Sequence, residues 1–411
     1  MISRRTLFGA TAATGVAAVA TACTSDATND HAGASSTDAR FISARGTHQA
    51  GITTPSPDHA IVAAFRVTAA TRADLESMFK TLSAEIDVLT SGKTEPEAKP
   101  LYPPTDNMIL GTTPFPDDLT VTVGVGASLF DPSTGYGLED RKPRQLRPMA
   151  GSPNDQLDPD RIHGDVVLQI CARGEDTCVH ALRRLMRVTR AGMTLAWMLP
   201  GFQRPNTLGP GRASTRNLLG FKDGTANPDH NSAKLMDELV WVQPGGGEPE
   251  WAVGGSYLVA RIIGMKVEFW DRTSLHTQEA IIGRHKDTGA PLDSRSETHV
   301  PSYADDPDGK VIPLTAHIRL ANPRTDATEK NRILRRGFSY SMGFNSAGQL
   351  DQGLLFVCYQ RDLDEGFVKV QERLDGEALE EYITPVGGGF FFALPGASTR
   401  SDDWVGRTLF A

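Results

Sequence analysis

Cysteine is scarce in this chain: four residues among 411, at positions 23, 171, 178 and 358. Cys23 belongs to an N-terminal leader, and the remaining three are too few, and odd in number, for a disulfide framework. Their spacing is not that of a zinc site. Cys171 and Cys358 lie inside apolar, strand-like runs and read as buried thiols. Long apolar runs are missing too: no internal stretch approaches the ~20 residues that a membrane-spanning helix needs. Positive charge is in deficit. With 42 Lys and Arg against 50 Asp and Glu the net charge is −8, which excludes a nucleic-acid binder working through a basic field.

The leader itself has no Lys or Arg between Arg5 and Arg40. Ser3-Arg4-Arg5-Thr6-Leu7-Phe8 resembles a twin-arginine export motif, and an Ala- and Gly-rich run follows to Ala22. That run is too short, and too rich in Thr and Gly, for an anchor helix. Residues 1–22 are therefore expected to be a signal peptide, with the mature chain periplasmic, secreted or on the outer face of the cell membrane. Ala20-Thr21-Ala22-Cys23 fits two readings: a lipoprotein box that anchors the chain through Cys23, and a plain small-residue cleavage site. Residues 23–50, rich in Ser, Thr, Ala, Asp and Gly, read as a disordered tether.

Beyond the tether the pattern is regular. An apolar strand at 60–67 precedes a helix starting near Thr71, with Leu75, Met78, Phe79, Leu82, Ile86 and Leu89 on one face. Thr71 and Asp74 resemble a capping box. Strands are expected at 119–125, 166–171 and 194–199, the last stopped by Pro200-Gly201, and a helix at 176–187. The order β-α-β-β-α-β is that of a ferredoxin-like unit, an antiparallel sheet with helices on one face. After an irregular stretch at 200–255 the pattern restarts. It gives a strand at 257–263, a helix at 267–282, a polar loop at 284–313, strands at 337–342 and 353–359, a helix at 367–374 and a strand at 389–394. The fold class is α+β, with two ferredoxin-like halves expected at 51–205 and 206–411.

Three stretches carry candidate chemistry. G-F-K-D-G-T-A-N-P at 220–228 places Asp223 between glycines, which alone is a turn signal. H-I-R-L-A-N-P-R at 317–324 sets His317 among Leu314, Ile318 and Leu320, broken by Pro323. Alone, His317 reads as a core histidine, although an imidazole in an apolar wall is also a good metal ligand. Arg335-Arg336 reads alone as a solvated face, or as a partner for Glu329.

Taken together, and with H-Q-A-G-I at 48–52, G-L-L-F-V-C-Y-Q-R-D at 353–362 and T-P-V-G-G-G-F-F-F-A-L-P-G at 384–396, these motifs resemble the dye-decolorizing haem peroxidase family. The likeness is to its exported deferrochelatase/peroxidase branch, in order, over nearly the whole mature chain. The resemblance implies two ferredoxin-like halves with haem b in the C-terminal half. It makes His317 the iron ligand, Asp223 the distal acid and Arg335 the distal arginine, with Arg336 as the alternative one residue on. Gly224, Thr225 and Ala226 would line the distal haem face. Asn322, Pro323 and Arg324 would sit at the haem edge, Arg324 facing a propionate. The acceptor for the second N–H of His317 is expected to be Glu381, or else Glu380.

The implied activity is reduction of hydrogen peroxide via a ferryl haem intermediate, with oxidation of a dye-like or small organic electron donor. Removal of iron from haem with the porphyrin left intact, in company with an iron-uptake system, is implied as a second activity of the same pocket. Self-association into a homo-oligomer is also a family trait. The alternative from another class is a haem-binding carrier lipoprotein without turnover. The distal acid and cation argue against it, because a carrier needs neither.

Overall fold

The computed structural model describes residues 41–93, 99–112, 115–204 and 214–411. The leader, Cys23 and most of the expected tether lie outside the described residues. In the first half, strand β1 (His59–Val67) leads to helix α1 (Arg72–Ser91), then β2 (Thr120–Gly126), β3 (Val166–Ala172), helix α2 (Glu175–Thr189) and β4 (Met193–Phe202). Thr71 caps α1 as its sequence suggests, its hydroxyl accepting the Asp74 N–H at 3.1 Å. The strand expected to stop at Leu199 runs on through Pro200 and Gly201. β4 is the edge of its half and meets the next strand only at Phe202–Ser339, so a proline is tolerated there.

A two-residue hairpin follows, β5 (Thr215–Arg216) with β6 (Lys222–Asp223), then helix α3 (Ala233–Leu239). The second half begins with β7 (Ser256–Met265). The helix expected at 267–282 is two pieces, α4 (Val267–Trp270) and α5 (Leu275–Ile282). Ser274 starts the second piece by accepting the Thr277 N–H at 3.2 Å, a capping bond that competes with a continuous helix. Helix α6 (His317–Ala321), β8 (Leu334–Arg335), β9 (Phe338–Phe344), β10 (Leu350–Gln360), α7 (Lys369–Leu374), β11 (Ile383–Ala393) and α8 (Arg407–Phe410) complete the chain.

The sheet order shows the repeat. β2-β3-β1-β4 in the first half and β9-β10-β7-β11 in the second are the same arrangement, second-third-first-fourth strand. The halves join edge to edge, β2 to β11 and β4 to β9, and the strands form a closed ring. Alternating side chains then serve two cores. Ala60, Val62 and Ala64 of β1, Leu258, Ala260 and Ile262 of β7, and Leu355, Val357 and Tyr359 of β10 share one cluster inside the ring. Ile61, Ala63 and Phe65 face outward and pack under Leu75, Phe79 and Leu82 of α1 and Leu185 of α2. The first half thus covers its outer face with two long helices. The second half has only short helices there, separated by irregular chain, and the space they leave holds the cavity described next. Cys171 and Cys358 are buried and free, as expected, and so is Cys178.

Candidate active site

The outward side chains of β7 and β10, among them Ile263, Met265, Leu354 and Phe356, form the floor of a cavity. Phe221, Ile282, Phe367 and Leu379 add apolar wall. Among the described residues only Asn154 and Asp155 come from the first half, and Asp155 is neutralised by a buried ion pair with Arg261.

His317 opens α6 and lines this cavity. Its helix is fixed from behind: Arg373 donates to the carbonyls of Leu320 (3.0 Å) and Ala321 (3.1 Å), the last carbonyls of α6. Of its expected apolar neighbours, Ile318 lines the cavity but Leu314 is 51% exposed. His317 Nδ1 lies 2.8 Å from Glu377 Oε2 and 3.0 Å from Oε1. The partner is therefore Glu377, not Glu381 or Glu380. Glu377 precedes the short helical turn at Ala378–Glu381 and its side chain is only 3% exposed, whereas Glu381 is exposed. Burial disfavours the imidazolium, but the Glu377 carboxylate outweighs it and lifts the proton affinity of His317 above the usual histidine range. With Nδ1 engaged, Nε2 is the nitrogen left to bind a metal.

Asp223 and Arg335 meet in the same cavity, Arg335 Nη1 donating to Asp223 Oδ1 at 2.5 Å. Strand geometry decides between the adjacent arginines, because consecutive side chains point to opposite faces. Arg335 faces the cavity, while Arg336 turns into the ring, 6% exposed, and donates to the Thr54 carbonyl. Neither pairs with Glu329, which takes Arg332 at 3.0 Å. Asn227, a residue that sequence reasoning passed over, ties the two stretches together. Its side chain exchanges hydrogen bonds with the Arg335 backbone, 2.8 Å to the carbonyl and 3.2 Å from the N–H.

Gly224, Thr225 and Ala226 line the cavity beside Asp223; Asn322 and Arg324 line it near His317. Pro323, between those two, is not part of the wall. Arg324 sits in the left-handed region at φ +58° and its Nε is buried without a hydrogen-bond partner. Arg284, also unforeseen, lines the wall nearby and donates only to the carbonyls of Gly289 (2.6 Å) and Glu297 (3.3 Å). Burial, with Arg324 and Arg335 close by, lowers its pKa. Among the described residues no carboxylate pairs with Arg284 or Arg324, so the cavity presents two guanidiniums to an anionic ligand.

The donor set fits haem. Apolar walls suit the macrocycle, a carboxylate-backed imidazole suits iron, and the orphaned Arg324 Nε with Arg284 suits propionates. Among the described residues no group of three or more His, Cys, Asp or Glu is arranged to hold a metal ion by itself.

Two family models match the chain: Dyp-type peroxidase, N-terminal, over residues 49–203, and Dyp-type peroxidase, C-terminal, over residues 214–398. The chain belongs to the Dyp-type peroxidase family of haem enzymes. It is 51% identical over 366 residues to the deferrochelatase of Escherichia coli K12, covering 89% of this chain and 86% of that one. Its fold matches a DyP-type peroxidase from Cellulomonas bogoriensis with a TM-score of 0.80 at 36% identity, covering 90% and 98% of the two chains. It matches ferric DtpA from Streptomyces lividans with a TM-score of 0.81 at 34% identity, covering 90% and 97%.

Proposed function

We propose that this chain is an exported haem b peroxidase in which His317 would hold the haem iron and Asp223 and Arg335 would act on peroxide in the same cavity. The observation that carries the reading is the meeting of a carboxylate, a guanidinium and a carboxylate-backed histidine in one apolar-walled cavity. Haem, when bound, would supply redox-active iron for the reduction of peroxide and the oxidising power passed to a donor. The chain's own residues hold His317 in one tautomer through Glu377, supply a guanidinium beside Asp223, and move one proton. Asp223 takes a proton from the inner peroxide oxygen and returns it to the outer one, which leaves as water. Arg335 stabilises the charge that builds on the leaving oxygen in a low-dielectric site. Two one-electron oxidations of a small organic donor complete the cycle, so one peroxide and two donor electrons with two protons yield two waters.

A second activity, removal of iron from haem with the porphyrin left whole, is supported by the 51% identity to a protein named deferrochelatase. On that reading an iron-uptake system is the natural partner. Export rests on the motif at residues 3–8, with Cys23 a candidate lipid anchor and self-association a further proposal. We also place domain limits at 1–22 for the signal, 23–50 for the tether, and 51–205 and 206–411 for the halves. The family-model limits support the last division.

One experiment separates the readings. Purified mature protein is examined for a Soret band and then given peroxide with an oxidisable dye. A Soret band with turnover supports the peroxidase, and a Soret band without turnover supports the carrier. Free porphyrin emission appearing under reducing conditions supports iron removal. His317→Ala is expected to fold yet lose most bound haem; a wild-type Soret band and full activity in that variant would move the ligand to another histidine.

A further inference from the structure

The polar stretch 284–313 reads as a solvated insertion, yet it carries a partly buried carboxylate. Glu297 has a side chain 18% exposed. Its Oε1 accepts hydrogen bonds from Thr225 Oγ1 at 2.9 Å and from Ser214 Oγ, and its Oε2 takes an ion pair from Lys222 Nζ. The Ser214 and Thr225 hydroxyls also meet each other at 2.8 Å. Burial by itself raises the pKa of a carboxyl, but these three donors outweigh it and hold Glu297 below the usual carboxylate range. The carboxylate is therefore charged at neutral pH.

The partners of Glu297 surround one residue. Lys222 and Thr225 bracket Asp223 in sequence, and Ser214 leads into the strand that pairs with it. The β5–β6 hairpin has only two residue pairs, Thr215–Asp223 and Arg216–Lys222, and a short two-stranded ribbon holds its shape poorly alone. Gly220 and Gly224, at φ +85° and +107°, flank the strand and add freedom. Two outside clamps supply what the hairpin lacks. On one side Asn227 grips the backbone of Arg335. On the other side stands Glu297, whose own carbonyl is held by the buried Arg284.

We propose that Glu297 is a positioning residue for Asp223: its carboxylate pins Lys222 and Thr225 and so fixes how the aspartate between them faces Arg335 and the cavity. The proposal rests on the reading of Asp223 as the proton carrier. Glu297 is not part of the wall of the His317 cavity; it acts through the loop. A misplacement of about 1 Å is enough to cost on the order of 100-fold in rate.

The test uses the full mature chain loaded with haem, mixed rapidly with peroxide, with the Soret change as the readout. Glu297→Ala, Glu297→Gln, Asp223→Asn and the double variant Asp223→Asn with Glu297→Ala are compared. Glu297→Ala is expected to slow the step roughly 10- to 100-fold. Glu297→Gln, which keeps an acceptor for Thr225, should fall between it and the wild type. The double variant should be no slower than Asp223→Asn alone. A second readout needs no haem: amide exchange at 222–227 should quicken in haem-free Glu297→Ala while exchange in α1 stays the same. A wild-type rate in Glu297→Ala beside a slow Asp223→Asn overturns the proposal alone. So does a slowing that adds in full to that of Asp223→Asn. A wild-type rate in Asp223→Asn removes the proton role, and the positioning role with it. Should Glu297→Ala not fold, Glu297→Gln carries the comparison with the same outcomes.

Discussion

Two single residues carry the proposed chemistry of the site, and each has a neighbour that nearly shares its place. Arg335 and Arg336 are adjacent, but the pleat sends one to Asp223 and the other into the ring. Arg335→Leu should therefore slow the peroxide step by on the order of 100-fold with haem content close to normal. Arg336→Leu should act on stability, because it empties a buried site. If rapid mixing finds the slow step in Arg336→Leu instead, the assignment is reversed. Glu377 stands four residues from the expected Glu381. In an acidic run the sequence shows carboxylates but not which one the turn directs inward, and here it is the one that precedes the turn. Glu377→Gln keeps the shape and removes the charge behind His317. A less basic ligand favours ferrous iron, so the reduction potential should rise and haem affinity should fall roughly 10- to 100-fold. An unchanged potential would show that Glu377 does not tune the ligand.

The elements were legible to different depths for physical reasons. α1 was clear because its apolar face repeats at helical spacing and all six residues named from that pattern are buried. The strand through Pro200 reads too short because proline usually ends a ladder, and the sequence does not show that β4 is an edge strand whose outer neighbour meets it only at Phe202, leaving Pro200 on the open side. The stretch 267–282 kept a helical pattern across a break that Ser274 makes with a local bond. α6 was hardest: five residues cannot show periodicity, and Arg373, which holds its end, comes from 52 residues further along the chain. The turn after it stores strain, since Arg324 at φ +58° costs on the order of 1 kcal/mol that glycine would not. Arg324→Gly should leave the stability of the haem-free protein within about 1 kcal/mol. It should weaken binding of haem but not of haem dimethyl ester, as read by Soret titration. Equal losses for both ligands would mean that Arg324 does not meet a carboxylate.

At the scale of the whole molecule, the repeat of two ferredoxin-like halves could be read from element order, but their closure into a ring could not. The seams are thin, three residue pairs between β2 and β11 and one between β4 and β9, and no local pattern announces them. Nor does a sequence show that the second half lacks the helix cover of the first, which is what opens the cavity. The residues of that cavity from Asp223 to Arg335 could be named mostly through motif resemblance, whereas Glu377 could not. Asn227, Arg284 and Glu297 act through neighbours distant in sequence and gave no signal of their own. Among the described residues no helix is long and apolar enough to cross a membrane. The proposed passage out of the cytoplasm rests on the arginine pair at residues 4 and 5. Arg4→Lys with Arg5→Lys should trap the precursor inside, as cell fractionation would show; normal export of that variant would remove the twin-arginine route.

The central claim is that a haem-loaded cavity uses Asp223 to move the proton that peroxide cleavage needs. A base must be unprotonated to accept that proton. An aspartate, near ~3.9 when free, stays competent in mild acid where a histidine, near ~6.5, is already protonated. The direct measurement is the rate of the peroxide-dependent Soret change against pH, in the wild type and in Asp223→Asn with matched haem content. This step, unlike dye turnover, does not depend on the protonation of the donor. The account predicts a wild-type rate that persists well below pH 6, and a variant slower there by roughly 100-fold or more. Superimposable profiles would contradict it and leave Arg335 with water to carry the step alone.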